Sequence, residues 1–296
     1  MKKTLLLILS LLMLIGCTAP ASAPVVSASP QPDAQFVVLE TPSPTPVPTE
    51  TPVPTEPPTP VPTEEPTPEP TPTPEPTPTP LPLAGIVIGI DPGHQARPNF
   101  ATEPIAPQSE TQQVKCLAGT VGIASGVAEY EVNLRVALKL AALLEAQGAT
   151  VVLTRTSNDV NLSERERAEI MNENEVDLAI RLHCNGADDT RIRGAFMLVP
   201  ARECTATFSE NVRAAQAIIE SYCAATDLPL RKNNGITYRD DQTGFNWCTR
   251  PVICIEMGHL SNESEDLLLT NDAFQDKMAL GIYLGILGYF QPERTE

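Results

Sequence analysis

Two of the three histidines in this 296-residue chain stand at the ends of apolar runs that read as β-strands. His94 follows "IVIGIDPG": aliphatic residues from Ile86 to Ile90 suit a strand covered on both faces, Pro92 removes a ladder donor, and Gly93 permits an unusual backbone angle, so a sharp turn is expected. His183 closes "VDLAIRLHC" and Glu256 closes "PVICIE", while Glu129 opens a long helical run. Loops beyond the carboxyl ends of strands in an α/β sheet share one crevice, so residues distant in sequence can converge there. Two imidazoles and one carboxylate would leave a tetrahedral zinc with one position free for water, the arrangement of a hydrolytic centre. Each residue alone has a plainer use. A histidine at a strand end is commonly a hydrogen-bonded structural residue, and Glu129 complements the dipole of its helix. Glu256 is harder to set aside, because a carboxylate ending an apolar strand is partly desolvated and needs a partner.

The elements that must position these residues alternate along the chain. After strand 86–90 comes an irregular stretch, 95–126. "AEYEVNLRVALKLAALLEAQG" then repeats Val132, Val136, Leu140 and Leu144 at helical spacing. "ATVVLTR" is a strand, and Ser163 with Glu166 forms a capping box that starts the next helix. The strand ending at His183 follows, then "GAFMLVP", a helix over about 208–225, an edge strand at "GITYR", the strand ending at Glu256, and a final helix in "NDAFQDKMALGIYLGILGYF". Strands separated by helices imply an α/β sheet with helices on both faces.

The ends of the chain say where such a domain would work. Lys2 and Lys3 precede "TLLLILSLLMLIG", an apolar run too short for a comfortable membrane span and typical of a secretory signal. "LIGC" resembles the lipobox of bacterial lipoproteins, which implies cleavage after residue 16 and lipidation of Cys17; an ordinary signal peptide with a stray cysteine is the alternative. Residues 17–84 form a Thr/Pro/Glu-rich stalk, and 23 of the 31 prolines fall between Pro20 and Pro82. Its Thr-Pro, Glu-Pro and Val-Pro repeats, from about Thr41 to Pro82, have no apolar area to bury and few amide donors, so these roughly 40 residues are expected to form an extended spacer reaching on the order of 120 Å. A single folded domain is left at 85–296. Two lysines and eight acids precede it, which leaves it at −11 of the total −17. With no basic cluster, this charge disfavours nucleic acid or anionic lipid as a partner, and none is expected. Six cysteines, Cys116, Cys184, Cys204, Cys223, Cys248 and Cys254, allow up to three disulfides in an exported domain, and spacing does not select a pairing.

Five segments in order, "IGIDPGH", "AEYEVNLRVALKLAALLEAQGATVVLTR", "LSERERAEI", "VDLAIRLHCNG" and "VICIEMGHLSN", resemble the zinc-dependent N-acetylmuramoyl-L-alanine amidases of the amidase-3 type, over essentially all of 85–290. The resemblance implies a twisted, mainly parallel six-stranded sheet flanked by helices and one zinc ion held by His94, Glu129 and His183. It also implies Glu256 as general base and acid, peptidoglycan as substrate, and an extracytoplasmic monomer tethered to the membrane through Cys17. Asp91 would orient a ligand imidazole or cap its turn, and Asn185 would line the site or form a turn. Arg155 and Arg165 are expected in structural ion pairs. Three departures stand out: Gln95-Ala96-Arg97 and an insertion follow His94, His259 replaces an aromatic and is expected to pack or contact the rim, and Cys184 should face the core. An amide hydrolase of another peptide and an inactive wall-binding or regulatory module are the competing functions; the intact set of four residues weighs against the second.

Overall fold

A computed structural model describes residues 80–231 and 234–291. The signal segment, Cys17 and nearly all of the stalk lie outside the described residues. The fold includes Leu83, two residues ahead of the expected start: its side chain is fully buried in the core, and its amide donates to the Gln147 carbonyl. Among the described residues no helix is long and apolar enough to cross a membrane.

In chain order the elements are β1 (Val87–Pro92), β2 (Asn99–Pro104), β3 (Gln112–Cys116), α1 (Glu129–Glu145), β4 (Thr150–Leu153), α2 (Glu164–Glu173), β5 (Leu178–Asn185), β6 (Phe196–Pro200), α3 (Phe208–Thr226), β7 (Ile236–Arg239), α4 (Thr243–Asn246), β8 (Val252–His259), α5 (Glu263–Leu269) and α6 (Asp272–Phe290). One six-stranded sheet runs β4-β1-β5-β8-β6-β7. Its pairings are parallel except where β6 meets β8. The mainly parallel sheet is therefore as expected, and β7 ("GITYR") is an edge strand.

Both faces of the sheet are covered, which explains why its central strands are apolar throughout. On one face, Val132, Val136, Leu140 and Leu144 of α1 pack with Ile218, Ile219 and Tyr222 of α3 and Met278, Ile282 and Ile286 of α6. Each of these large side chains contributes roughly 1.5–3 kcal/mol by leaving water. Helices α3 and α6 approach so closely that a Cβ on Gly285 would lie 2.4 Å from the Ile218 Cα. On the other face, Ala168 and Met171 of α2 and Phe245 of α4 cover Ala179, Leu198 and Cys254. Ser163 accepts from the Glu166 amide while the Glu166 carboxylate accepts from the Ser163 amide, the reciprocal cap expected for α2.

The stretch expected to be irregular holds an antiparallel hairpin, β2–β3, outside the main sheet. It is pinned to α2 and α4 from several sides. The Trp247 indole donates to the Pro104 carbonyl at 2.8 Å, Thr243 donates to Gln113 at 2.9 Å, and the Arg165 amide donates to Glu103 at 3.0 Å. All six cysteines of the domain are free thiols, so the disulfides allowed by their number are not formed.

Candidate active site

β1, β5 and β8 are adjacent and parallel, so their carboxyl ends lie side by side. Register puts His183 beside Glu256. His94 follows the end of β1, and Glu129 enters from the first turn of α1. His94, Glu129 and His183 present ligand atoms all within 4.8 Å of one another, the one such group of three or more found among the described residues.

Each of the three is held by contacts of its own. At the turn the left-handed angle falls not on Gly93, which permits one, but on His94, with φ 59°, a conformation that costs a side-chain-bearing residue about 1 kcal/mol. What Gly93 supplies is space, since a Cβ there would lie 2.2 Å from the His183 ring. His94 Nδ1 lies 2.9 Å from the Leu117 carbonyl and so donates to it, which leaves Nε2 facing Glu129 at 3.3 Å. His183 Nδ1 lies 3.0 Å from the same carboxylate oxygen, and the two rings meet edge to face. Backbone amides of Thr120 and Cys184 donate to Glu129 at 2.8 and 3.0 Å. Cys184 itself points into the core, as expected.

Charge follows from this packing. Burial alone would raise the Glu129 carboxyl, but hydrogen bonds from His183 and His94 outweigh it and hold the group well below the usual carboxylate range. Burial disfavours a charged His94, yet hydrogen bonds to Cys116 and Glu129 push it up to about 10. Burial lowers His183. Glu256 goes the other way: desolvation, then the charge on Glu129, push it up to about 8. Its Oε2 is buried without a hydrogen-bond partner.

Two imidazoles and an ionised carboxylate are a donor set suited to zinc, and the surroundings fit such an ion. A Cβ on Gly119 would lie 2.7 Å from His94 and 2.9 Å from Glu129, so the cradle is kept open by glycine at two points. Two clefts meet at the cluster and share His94, Leu117, His183 and Glu256. One, of about 390 Å³, runs toward Gln113, Glu164, Arg181 and Thr243; the other, of about 480 Å³, runs toward Phe100, Thr120 and Asn185. The hairpin contributes residues to both, so the insertion shapes the groove.

The remaining residues named from sequence divide. Asp91 makes its hydrogen bonds away from the imidazoles, to Thr154 at 2.6 Å, Arg167 at 2.7 Å and Arg181 at 2.9 Å. Burial would raise its carboxyl, and the two guanidinium charges hold it far down instead. Asn185 ends β5, its Oδ1 accepts from the Gly186 amide, and it is among the residues lining the second cleft. His259 is fully buried against Phe196, with Nε2 3.3 Å from the Asn185 amide, consistent with packing. Arg165 pairs with Glu169 and lies over the Trp247 ring. Arg155 differs from expectation, donating to the carbonyls of Pro92, Gly93 and Tyr130 rather than to a carboxylate.

Several supporting residues escaped the sequence reading. Arg167 and Arg181 flank Asp91 beneath the site; Arg181 interrupts an otherwise apolar strand, the same signal that marked Glu256. Asp266 accepts from the amides of Ala124 and Ser125 and from the Ser125 hydroxyl, fixing the loop that leads into Glu129. Gln95, buried, accepts from the Leu162 amide and so ties the turn after His94 to the start of α2.

A parallel α/β sheet carrying a His–Glu–His cluster and a partnerless buried carboxyl at its strand ends defines a candidate metal-dependent hydrolase. The sequence profile of the family described as Amidase_3, N-acetylmuramoyl-L-alanine amidase, matches residues 88–288, and the chain belongs to that family. The germination-specific N-acetylmuramoyl-L-alanine amidase of Bacillus subtilis is 30% identical over 225 residues, 70% of this chain and 81% of that protein. An N-acetylmuramoyl-L-alanine amidase of Mycobacterium tuberculosis is 25% identical over 70% of this chain and 87% of its own length. Among solved structures, the amidase Ami1 of Mycobacterium smegmatis shares the fold, with a TM-score of 0.66 at 22% identity, covering 71% of this chain and 99% of its own.

Proposed function

We propose that this chain hydrolyses the peptidoglycan amide that joins the lactyl group of N-acetylmuramic acid to the L-alanine of the stem peptide, using one zinc ion held by His94, Glu129 and His183. The carrying observation is the convergence of those three side chains beside Glu256, whose buried Oε2 has no partner among the described residues. Zinc, when bound, supplies a Lewis acid that polarises the scissile carbonyl and lowers the pKa of water. Glu256 accepts a proton from the attacking water and returns it to the departing alanine nitrogen. Its raised pKa suits a group that must both take and give a proton near neutrality. Leu117, through its carbonyl, keeps the His94 proton on Nδ1 and the other nitrogen toward the ligand cluster.

The location and tether belong to the same proposal. A lipid anchor on Cys17 and an extended stalk over 17–84 would hold the domain outside the membrane and within reach of the wall; "LIGC" and the proline-rich run support this. The test uses the zinc-loaded protein on purified peptidoglycan. New N-terminal alanine should appear, stop with a chelator and return with zinc. Release of a different amine terminus would favour another amide substrate, and no release in the presence of bound zinc would favour the non-catalytic module.

A further inference from the structure

The turn that carries His94 has three successive carbonyls, on Pro92, Gly93 and His94, that take their donors from side chains. Two guanidinium groups supply them. Arg155 donates through Nε to Pro92 at 2.8 Å and through Nη2 to Gly93 at 3.0 Å. Arg167 donates through Nη1 to Pro92 and through Nη2 to His94, both at 3.0 Å. A left-handed residue such as His94 persists only where its surroundings over-determine it, and these bonds do so.

Of these two arginines it is Arg155 that also reaches the helix carrying Glu129. Its Nη2 donates a second time, to the Tyr130 carbonyl at 2.9 Å, so one nitrogen joins the residue before His94 to the residue after Glu129. Nη1 anchors the group outward, on the Asn158 side chain at 2.9 Å and the Ser157 carbonyl at 3.3 Å. Sheet order brings this about: β4 lies beside β1, and Arg155 follows the end of β4 as His94 follows the end of β1. The arrangement is costly. Arg155 is 3% exposed and among the described residues has no carboxylate partner; burial, then the Arg167 charge, bring it down to about 10. A buried cation without a counter-ion is expensive. A neutral side chain could satisfy one of these carbonyls, whereas a planar fork of five N–H groups reaches three segments of chain at once.

We propose that Arg155 is a positioning residue that sets the separation of His94 from Glu129 and, through it, the affinity of the site for zinc. This rests on the proposed zinc-dependent function. The two residues come from different elements, the end of β1 and the start of α1, and ligand atoms must be held within about 0.5 Å of their working geometry. The Nη2 bridge ties the two backbones one residue away from each ligand. Asn133 spans the same gap more loosely, at 3.3 Å to the Gly93 carbonyl and 3.4 Å to Glu129. Lysine at 155 would keep the charge, but its single nitrogen on a flexible stem cannot hold Pro92, Gly93 and Tyr130 together.

The experiment titrates zinc into the metal-stripped full chain against a chelating dye, under conditions where circular dichroism shows each variant folded. Arg155→Lys should bind zinc about tenfold or more weakly than the wild type. The visible spectrum of its cobalt-loaded form should also shift, because the ligands are held differently. Gly285→Ala strains the α3–α6 contact instead and controls for a general loss of stability. It should bind zinc within about twofold of the wild type and leave the cobalt spectrum unshifted. A smaller loss in Arg155→Lys, an unshifted spectrum, or an equal loss in Gly285→Ala overturns the role of Arg155 and leaves the zinc site standing. Should Arg155→Lys fail to fold, Asn158→Ala decides, since it removes only the side-chain acceptor of Nη1. Zinc binding weakened about threefold or more then supports the role, and a smaller loss overturns it. A wild type that binds no zinc overturns the zinc site and this inference with it.

Discussion

Glu256→Gln separates stability from catalysis in a way the geometry makes quantitative. The Glu256 carboxyl is pushed from 4.5 to about 8, chiefly by burial. An acid whose pKa rises on folding favours the protonated form, so its contribution to stability is whole below 4.5 and is lost as pH climbs toward 8. At about 1.36 kcal/mol per unit, taking up at pH 7 the proton that the unfolded chain has already lost costs the metal-free fold up to about 3 kcal/mol; partial contact with the cleft brings the expectation to about 2 kcal/mol. Glutamine carries no such cost. In urea unfolding with chelator present, the variant should exceed the wild type by under about 1 kcal/mol at pH 5 and by about 2 kcal/mol at pH 7. Bound zinc should narrow the gap, because a nearby cation favours the ionised carboxylate. The same variant should bind about one zinc per chain and lose roughly 10²–10⁴ in kcat. Equal stability of the two proteins at pH 7, or turnover within tenfold of the wild type, would refute this account of Glu256.

Three other outcomes follow from the packing and the ligands. Gly285→Ala should destabilise the fold by roughly 1–3 kcal/mol in chemical denaturation, because the Ile218 backbone lies 2.4 Å from the new Cβ, although alanine is the better helix former. Ser163→Ala should cost about 1 kcal/mol by opening the reciprocal cap of α2, with the zinc content unchanged. His183→Ala should retain the far-ultraviolet circular dichroism of the wild type but lose stoichiometric zinc by elemental analysis, since one of three ligands is gone.

The sequence was most legible where period and chemistry agreed. The α1 stripe, the Ser163–Glu166 cap and the apolar central strands announce themselves because burial on one face or on both dictates residue type at each position. The hairpin did not, for the same reason reversed. Asn99–Pro104 and Gln112–Cys116 are largely exposed and polar, and they are held by side-chain bonds from α2 and α4 that leave no periodic trace. The members of the His94–Glu129–His183 cluster could be named, but their supports could not. Asp266 stands in an ordinary acidic helix start, and nothing local says that its carboxylate caps a loop more than 140 residues earlier. Gly93 was assigned a conformational role when its contribution is steric, because the Cβ it lacks would collide with a ring from another strand.

That distribution of supports bears on how the centre is built. Leu117 fixes His94 from the hairpin side, the amides of Thr120 and Cys184 fix Glu129, and strand register fixes His183. None of these contacts requires an ion. Glu129 meets both imidazoles directly, and their hydrogen bonds hold its carboxylate ionised. A zinc ion bound as proposed would meet side chains already gathered, without first collecting them from solvent. The entropy of assembling the site is met during folding by contacts outside the ligand set. On the proposed zinc site, disturbing the loop fixed by Asp266 or the Cys116–Leu117 end of the hairpin should weaken zinc binding measured by titration, although neither supplies one of the three donors.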